Sequence, residues 1–300
     1  LILSAGLVTL AACSLFTDLD GFTSGSKDDG GGSSGNGGLD AGLDDGSLAS
    51  DGSADGSNPE GGPDASEGEP LLVVGGGRSQ TPNIFEGETL SNTYYAPLKS
   101  DGTLGEWKPG PELPFKETTE TRVVASSGRV YFFGYNATVS TKKSATGGLD
   151  SLTVDPTPEA RGSFCAVSTG DAIFRFGGNA DNTALKNVDG TATPTLAWTA
   201  TSALPDGRHW LGCTASANFV YLVGGKNSAG EHQKTVYVAP RNPGGLLGGW
   251  TQTTPVLKTA YWPRPVVVGS YLVVVGGNWD DADVSTVFVG KLDEAGKIAS

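Results

Sequence analysis

The sequence predicts an all-β fold assembled as a β-propeller, and three observations predict it. Short apolar runs that end in glycine recur five times: "LLVVGG" from Leu71, "VYFFGY" from Val130, "AIFRFGG" from Ala172, "FVYLVGG" from Phe219 and "YLVVVGG" from Tyr271. From Gly134 the glycines follow at Gly177, Gly224 and Gly276, at intervals of 43, 47 and 52 residues. No stretch of ten or more residues carries apolar positions at helical spacing. Four short strands repeated at this period bury their faces by stacking on the next copy, which describes a propeller blade.

The chain divides into three parts. Residues 1–12, "LILSAGLVTLAA", are apolar or small and too short to span a bilayer; they read as the remnant of an export signal. The run closes on "LAAC", which resembles the bacterial lipobox, and that resemblance makes Cys13 the lipidated first residue of the mature protein. Ser14 after the cysteine then fits an outer-membrane or cell-surface destination rather than the inner membrane. Residues 13–69 form the second part. From Lys27 to Glu69 they contain no aromatic residue and no apolar period, so too little surface can be buried to offset the entropy of ordering. We expect a disordered acidic leash of Gly, Ser and Asp. Its Asp-Gly pairs lack the spacing of an EF-hand loop.

Residues 70–300 hold the repeats, and the charge balance changes there. The whole chain has 33 acidic and 20 basic residues, a net charge of −13. Thirteen acids and a single lysine lie between Ser14 and Pro70, which leaves the repeat region close to neutral. A nucleic-acid partner needs a concentrated basic surface, so that class is excluded.

Within the repeats, "YYAPLKSDGTLGEW" (94–107) aligns without gaps on "YVAPRNPGGLLGGW" (237–250), and "FVGKLDEAGKIAS" (288–300) continues the same frame. A third landmark lies sixteen residues before the glycines, held by Arg161 and Arg208 but by Thr118 and Ala260 in other units. The first unit would place it at Glu60, in the tether, so that unit begins at its second strand. In the third unit we expect strands at "GSFCAVS", at "AIFRFGG", weakly near Leu185, and at "LAWTATSALP". The missing first strand implies an incomplete ring whose closing strand comes from polypeptide beyond Ser300.

The order apolar strand, Gly-Gly, Tyr, Trp, Leu-Pro, Arg resembles the kelch repeat, including the galactose-oxidase central-domain type. Tyr135 and Leu152 depart from it, where a second glycine and a tryptophan would stand. The landmark tryptophans Trp107, Trp198 and Trp250 are expected to pack between blades.

Candidate chemistry is sparse. In "LLVVGGGRSQ" the third glycine of a dinucleotide loop is Gln80 and no helix pattern follows, so these glycines mark a hairpin. The copper ligands and paired cofactor residues of an oxidase are not evident, and "KSDGTLGEW" misses the sialidase box. No cofactor and no metal site is expected. Loops that emerge on one face of the disc carry Arg161, Asn179, Asp181, Arg208, His209, Trp210, Lys226, His232, Trp262, Arg264, Asn278, Trp279 and Asp280. Such a rim of Arg, Trp, Asn and Asp suits a protein or carbohydrate ligand. The expected function is therefore a membrane-anchored extracytoplasmic binding module; an exported carbohydrate-active enzyme, of sugar isomerase or oxidase type, is the alternative.

Cys165 and Cys213 fall four and five residues after their arginine landmarks, on the innermost strands of adjacent blades. Strand alternation aims them from opposite faces toward each other. Two buried free thiols are the first reading and a disulfide the alternative, which a Cα separation beyond about 7 Å excludes.

Overall fold

The computed structural model describes residues 70–76, 88–116, 121–157, 159–170, 172–242, 246–258, 262–279, 282–283 and 286–299. Cys13, the tether, the stretch 77–87 expected to turn the first hairpin, and Asp280 lie outside them. The described chain is all-β and folds as five antiparallel sheets in a propeller arrangement.

Blade I contains Leu71–Gly75, Thr93–Pro97 and Lys108–Pro109. Blade II contains Arg122–Ser126, Arg129–Phe133, Thr138–Lys142 and Thr153–Asp155. Blade III contains Cys165–Ser168, Ala172–Phe176, Val188–Ala192 and Thr199–Ala200. Blade IV contains Gly212–Ala215, Phe219–Val223, Val236–Pro240 and Thr251–Thr253. Blade V contains Arg264–Val268, Tyr271–Val275 and Val287–Lys291. Each sheet runs outward from its inner strand by sequential antiparallel pairing, except that blade I starts at its second strand and blade V, among the described residues, ends at its third. One boundary differs from the sequence expectation. The third strand of blade III lies at Val188–Ala192, because the residues around Leu185 close a separate hairpin of Asn179–Ala180 with Thr183–Ala184.

Local sequence explains the pairing. Ser127 and Gly128 both adopt positive φ, 48° and 69°, between the paired residues Ser126 and Arg129. A two-residue turn of that hand matches the twist of the flanking strands. The β-branched and aromatic strands then alternate their faces with period two. In blade II, Phe132 joins the core shared with blade I, through Val73 and Leu113. Its neighbours Tyr131 and Phe133 point the other way, into a core with Phe164 and Ile173 of blade III. Blade III repeats the device: Phe174 and Phe176 meet Val220 and Leu222 of blade IV. Blade IV turns Tyr221 and Val223 toward Leu272 and Val274 of blade V. Each fully buried side chain of this size contributes about 1.5–3 kcal/mol, so the four inter-blade cores dominate the stability.

Two of the landmark tryptophans seal these cores. Trp198 meets Phe133 edge-on at 6.0 Å and donates its Nε1–H to the carbonyl of Pro156 at 3.2 Å. Trp250 meets Phe176 at 5.8 Å and donates to Ser202 O at 2.9 Å. Trp107 departs from the expectation and is 43% exposed.

Cys165 and Cys213 form a disulfide with a Cα separation of 5.9 Å, which overturns the free-thiol reading. Cys165 is opposite Phe176 and Cys213 opposite Leu222, residues that share one inter-blade core, so both thiols point into the gap between blades III and IV.

Candidate functional site

Twelve of the thirteen candidate residues of the expected face, all but Asp280, lie among the described residues and separate into three groups. Arg161 and Arg208 are buried inside their blades and are not part of a surface. The Arg161 Nη2 is 2.9 Å from Asp189 Oδ2 and donates to the carbonyl of Arg175 at 3.2 Å. Arg175, an arginine inside the apolar run "AIFRFGG", shares the same Asp189 oxygen at 2.9 Å and lies over the rings of Phe164 and Trp198. Burial, with the adjacent Arg175 charge second, pushes the Arg161 guanidinium down to about 10. Arg208 donates to Gly224 O at 2.9 Å, to Thr235 Oγ1 at 2.8 Å and to Asp206 Oδ2 at 2.8 Å, while covering Tyr237. The landmark arginine thus ties the entry of its blade to the second and third strands of that blade.

A second group assembles at the entry to the inner strands. Two residues after the landmark positions 161, 208 and 260, the chain places Ser163, Trp210 and Trp262 at φ of 54°, 53° and 56°. The left-handed region disfavours L-residues by roughly 1–2 kcal/mol each, most severely for bulky ones. The turns are linked blade to blade: Trp210 N–H donates to Ser163 O at 2.8 Å, and Trp262 N–H to Trp210 O at 2.7 Å. The strand-end glycines make room for this. Gly178 N–H donates to Arg208 O at 2.7 Å, and a Cβ on Gly177 would sit 2.2 Å from that same carbonyl oxygen. The glycines therefore mark where the next blade's entry turn crosses the strand end.

The side chains of this second group form one cluster. His209 stacks on Trp210 with centroids 4.7 Å apart, and Trp262 leans on Trp210 at 5.2 Å. Lys226 Nζ lies 5.1 Å from the Trp210 centroid, and Lys226 is bridged through its backbone to both His209 and His232. The four half-buried side chains His209, Trp210, Lys226 and Trp262 present aromatic surface and basic groups at one end of the inner strands. Ser163 belongs to the same ring of turns and was missed by sequence reasoning, although its offset from Arg161 equals that of Trp210 from Arg208.

The third group is placed by its backbone elements. Asn179 bridges back to Gly162 through its backbone, and Asp181 is exposed at the tip of its hairpin. Arg264 opens the inner strand of blade V and is exposed; Asn278 and Trp279 form half of a two-residue hairpin with Ala282–Asp283. Among the described residues no group of three or more His, Cys, Asp or Glu side chains is placed to hold a metal ion.

No family model and no curated protein matches this chain. Solved structures do match it in fold. One, described as the structure of YjhT, aligns with a TM-score of 0.59 at 13% identity, over 76% of this chain and 80% of that chain. This chain is similar to it in being a β-propeller.

Proposed function

We propose that this protein is a kelch-like, lipid-anchored binding protein of the bacterial cell envelope, held at the outer membrane or cell surface through Cys13. Its ligand, a carbohydrate or a protein, is recognised by the propeller face that carries His209, Trp210, Lys226 and Trp262. One observation carries this reading: successive blades hold Ser163, Trp210 and Trp262 in the same unfavourable left-handed conformation. Strain of that kind, repeated and locked by main-chain hydrogen bonds, concentrates at sites where side chains must be presented. Two indoles beside a lysine and a histidine offer flat apolar surface with polar groups at its border, which suits sugar rings and peptide side chains.

A glycan array and a screen of envelope peptides against the intact protein test this reading. Trp210→Ala and Trp262→Ala should each weaken a detected ligand by at least about tenfold, the equivalent of roughly 1.4 kcal/mol. Asn218→Ala, in the hairpin turn at the opposite end of blade IV, should leave it unchanged. Equal affinity in all three variants, or ligand loss only with Asn218→Ala, refutes the assignment of this face. The anchor is tested separately: Cys13→Ala should release the protein from the membrane fraction and abolish incorporation of labelled fatty acid.

A further inference from the structure

Two landmark arginines and two inner-strand cysteines bracket the strained turns of the candidate face. In blade III, Ser163 at φ 54° lies between Arg161 and Cys165; in blade IV, Trp210 at φ 53° lies between Arg208 and Cys213. Each arginine is buried and held by its own blade, Arg161 on Asp189 and the Arg175 carbonyl, Arg208 on Gly224 O and Thr235 Oγ1. The far ends of both segments share one bond, the Cys165–Cys213 bridge. Between them Trp210 N–H donates to Ser163 O at 2.8 Å. A backbone conformation that costs free energy persists where its surroundings over-determine it. Here each turn has a buried guanidinium at one end and a covalent bond at the other.

The neighbouring joints show what the bridge replaces. Along the inner strands, the residue four places after one landmark faces the residue five places after the next. Between blades II and III these are Arg122 and Ala166, and Arg122 Nε donates to the Phe164 carbonyl at 2.8 Å. Between blades IV and V they are Gly212 and Pro265, so close that a Cβ on Gly212 would sit 2.5 Å from Pro265 Cδ. Those joints close by hydrogen bonding and packing. Between blades III and IV the same crossing is a bond that thiol chemistry can open. Both cysteines are half-buried, at the edge of the shared core rather than inside it. Trp262 follows Trp210, to which it is tied by its N–H at 2.7 Å and by its ring at 5.2 Å.

We infer that the bridge is a redox latch on this face. Closed, it holds Ser163, Trp210 and Trp262 in the conformation that presents the aromatic cluster. Opened by a dithiol reductant, it lets the entry turns relax while the blades stay folded, because Phe174, Phe176, Val220 and Leu222 remain packed between them. Its regulatory meaning rests on the assignment of this face to ligand recognition. The chemistry is ordinary exchange. A thiolate of the reductant attacks one Sγ, the S–S bond breaks, and the other cysteine leaves as a thiolate that takes a proton. The reductant's second thiolate then displaces the first cysteine. Two electrons pass: Cys165 and Cys213 become thiols and the dithiol becomes a disulfide.

Hydrogen exchange of the intact protein, oxidised and after dithiothreitol, tests the latch without any ligand, so it can fail while the recognition reading stands, and the reverse. Alkylation should label both cysteines in the folded, reduced protein. Peptides spanning Trp210 and Trp262 should then exchange at least about tenfold faster, with peptides inside 122–133 of blade II unchanged and far-UV circular dichroism retained. Reoxidation should restore slow exchange. The double variant Cys165→Ser, Cys213→Ser should match the reduced protein and ignore dithiothreitol. Three results overturn the inference: a bridge that resists dithiothreitol until the protein unfolds, unchanged exchange at both turns, or equal acceleration in blade II, which would make the bridge a general stabiliser.

Discussion

At the scale of single residues, the buried charges in blade III are the most exacting feature. Arg161 and Arg175 have fully buried side chains and both rely on one oxygen of Asp189. Removing the carboxylate leaves two desolvated guanidinium groups with only the weaker attraction of Glu159 as counter-charge. Asp189→Ala should therefore cost about 3–5 kcal/mol, read from urea unfolding, whereas Asp101→Ala on an exposed turn should change little. Tyr221 provides a pH-dependent counterpart. Burial is the first cause that holds its phenol above the ordinary 10, so the folded state retains a proton that the unfolded chain loses. The sign follows: this contribution is intact below pH 10 and lost as pH rises above it. Wild-type stability should fall relative to Tyr221→Phe as pH is raised from 9 toward 11. A constant difference between the two proteins over that range would show that the phenol is not the group responsible.

At the scale of elements, blades III and IV are joined twice. The Cys165–Cys213 bridge closes a sequence separation of 48 residues, and Phe174, Phe176, Val220 and Leu222 pack alongside. Chain-entropy reasoning assigns a loop of that length about 4 kcal/mol. Cys213→Ala should lower the stability by up to that amount, and peptide mapping without reductant should recover residues 165 and 213 in one cross-linked species. The disulfide also begins two residues beyond Ser163 and three beyond Trp210, so it fixes the inner strands from which the strained rim emerges. Rim geometry and blade pairing are thus coupled through a few residues at the strand entries.

At the scale of the whole molecule, stability resides between blades rather than within them. A single sheet hides neither of its faces; the alternation of Phe132 with Tyr131 and Phe133 needs a neighbour on each side. Trp250→Ala should accordingly cost about 3–5 kcal/mol, since it empties the core shared by blades III and IV and leaves the Ser202 carbonyl without its donor. Differential scanning calorimetry should show the loss as a lower midpoint for the entire cooperative transition, because adjacent blades share these cores. An independent melting step for one blade would contradict that picture.

Much of this architecture was legible in the residue order. The apolar runs ending in glycine, the recurring Tyr and Trp, and the absence of a helical period specify strand identity, blade number in this stretch and the missing first strand of blade I. These are local properties, set by side-chain alternation and turn chemistry. The sequence also placed Cys165 and Cys213 on facing sides of neighbouring strands, but it could not choose between thiols and a bridge. That choice depends on the spacing of two blades, a distance no local pattern encodes. The arginine landmarks show the same limit. As letters beside a loop, Arg161 and Arg208 look like surface residues; packing turns them inward, onto Asp189, Gly224 O and Thr235, and leaves the rim to the left-handed turn two residues later. Only the tertiary structure brings Trp210, Trp262, His209 and Lys226 together, because their contacts arise from stacking successive sheets around a common axis.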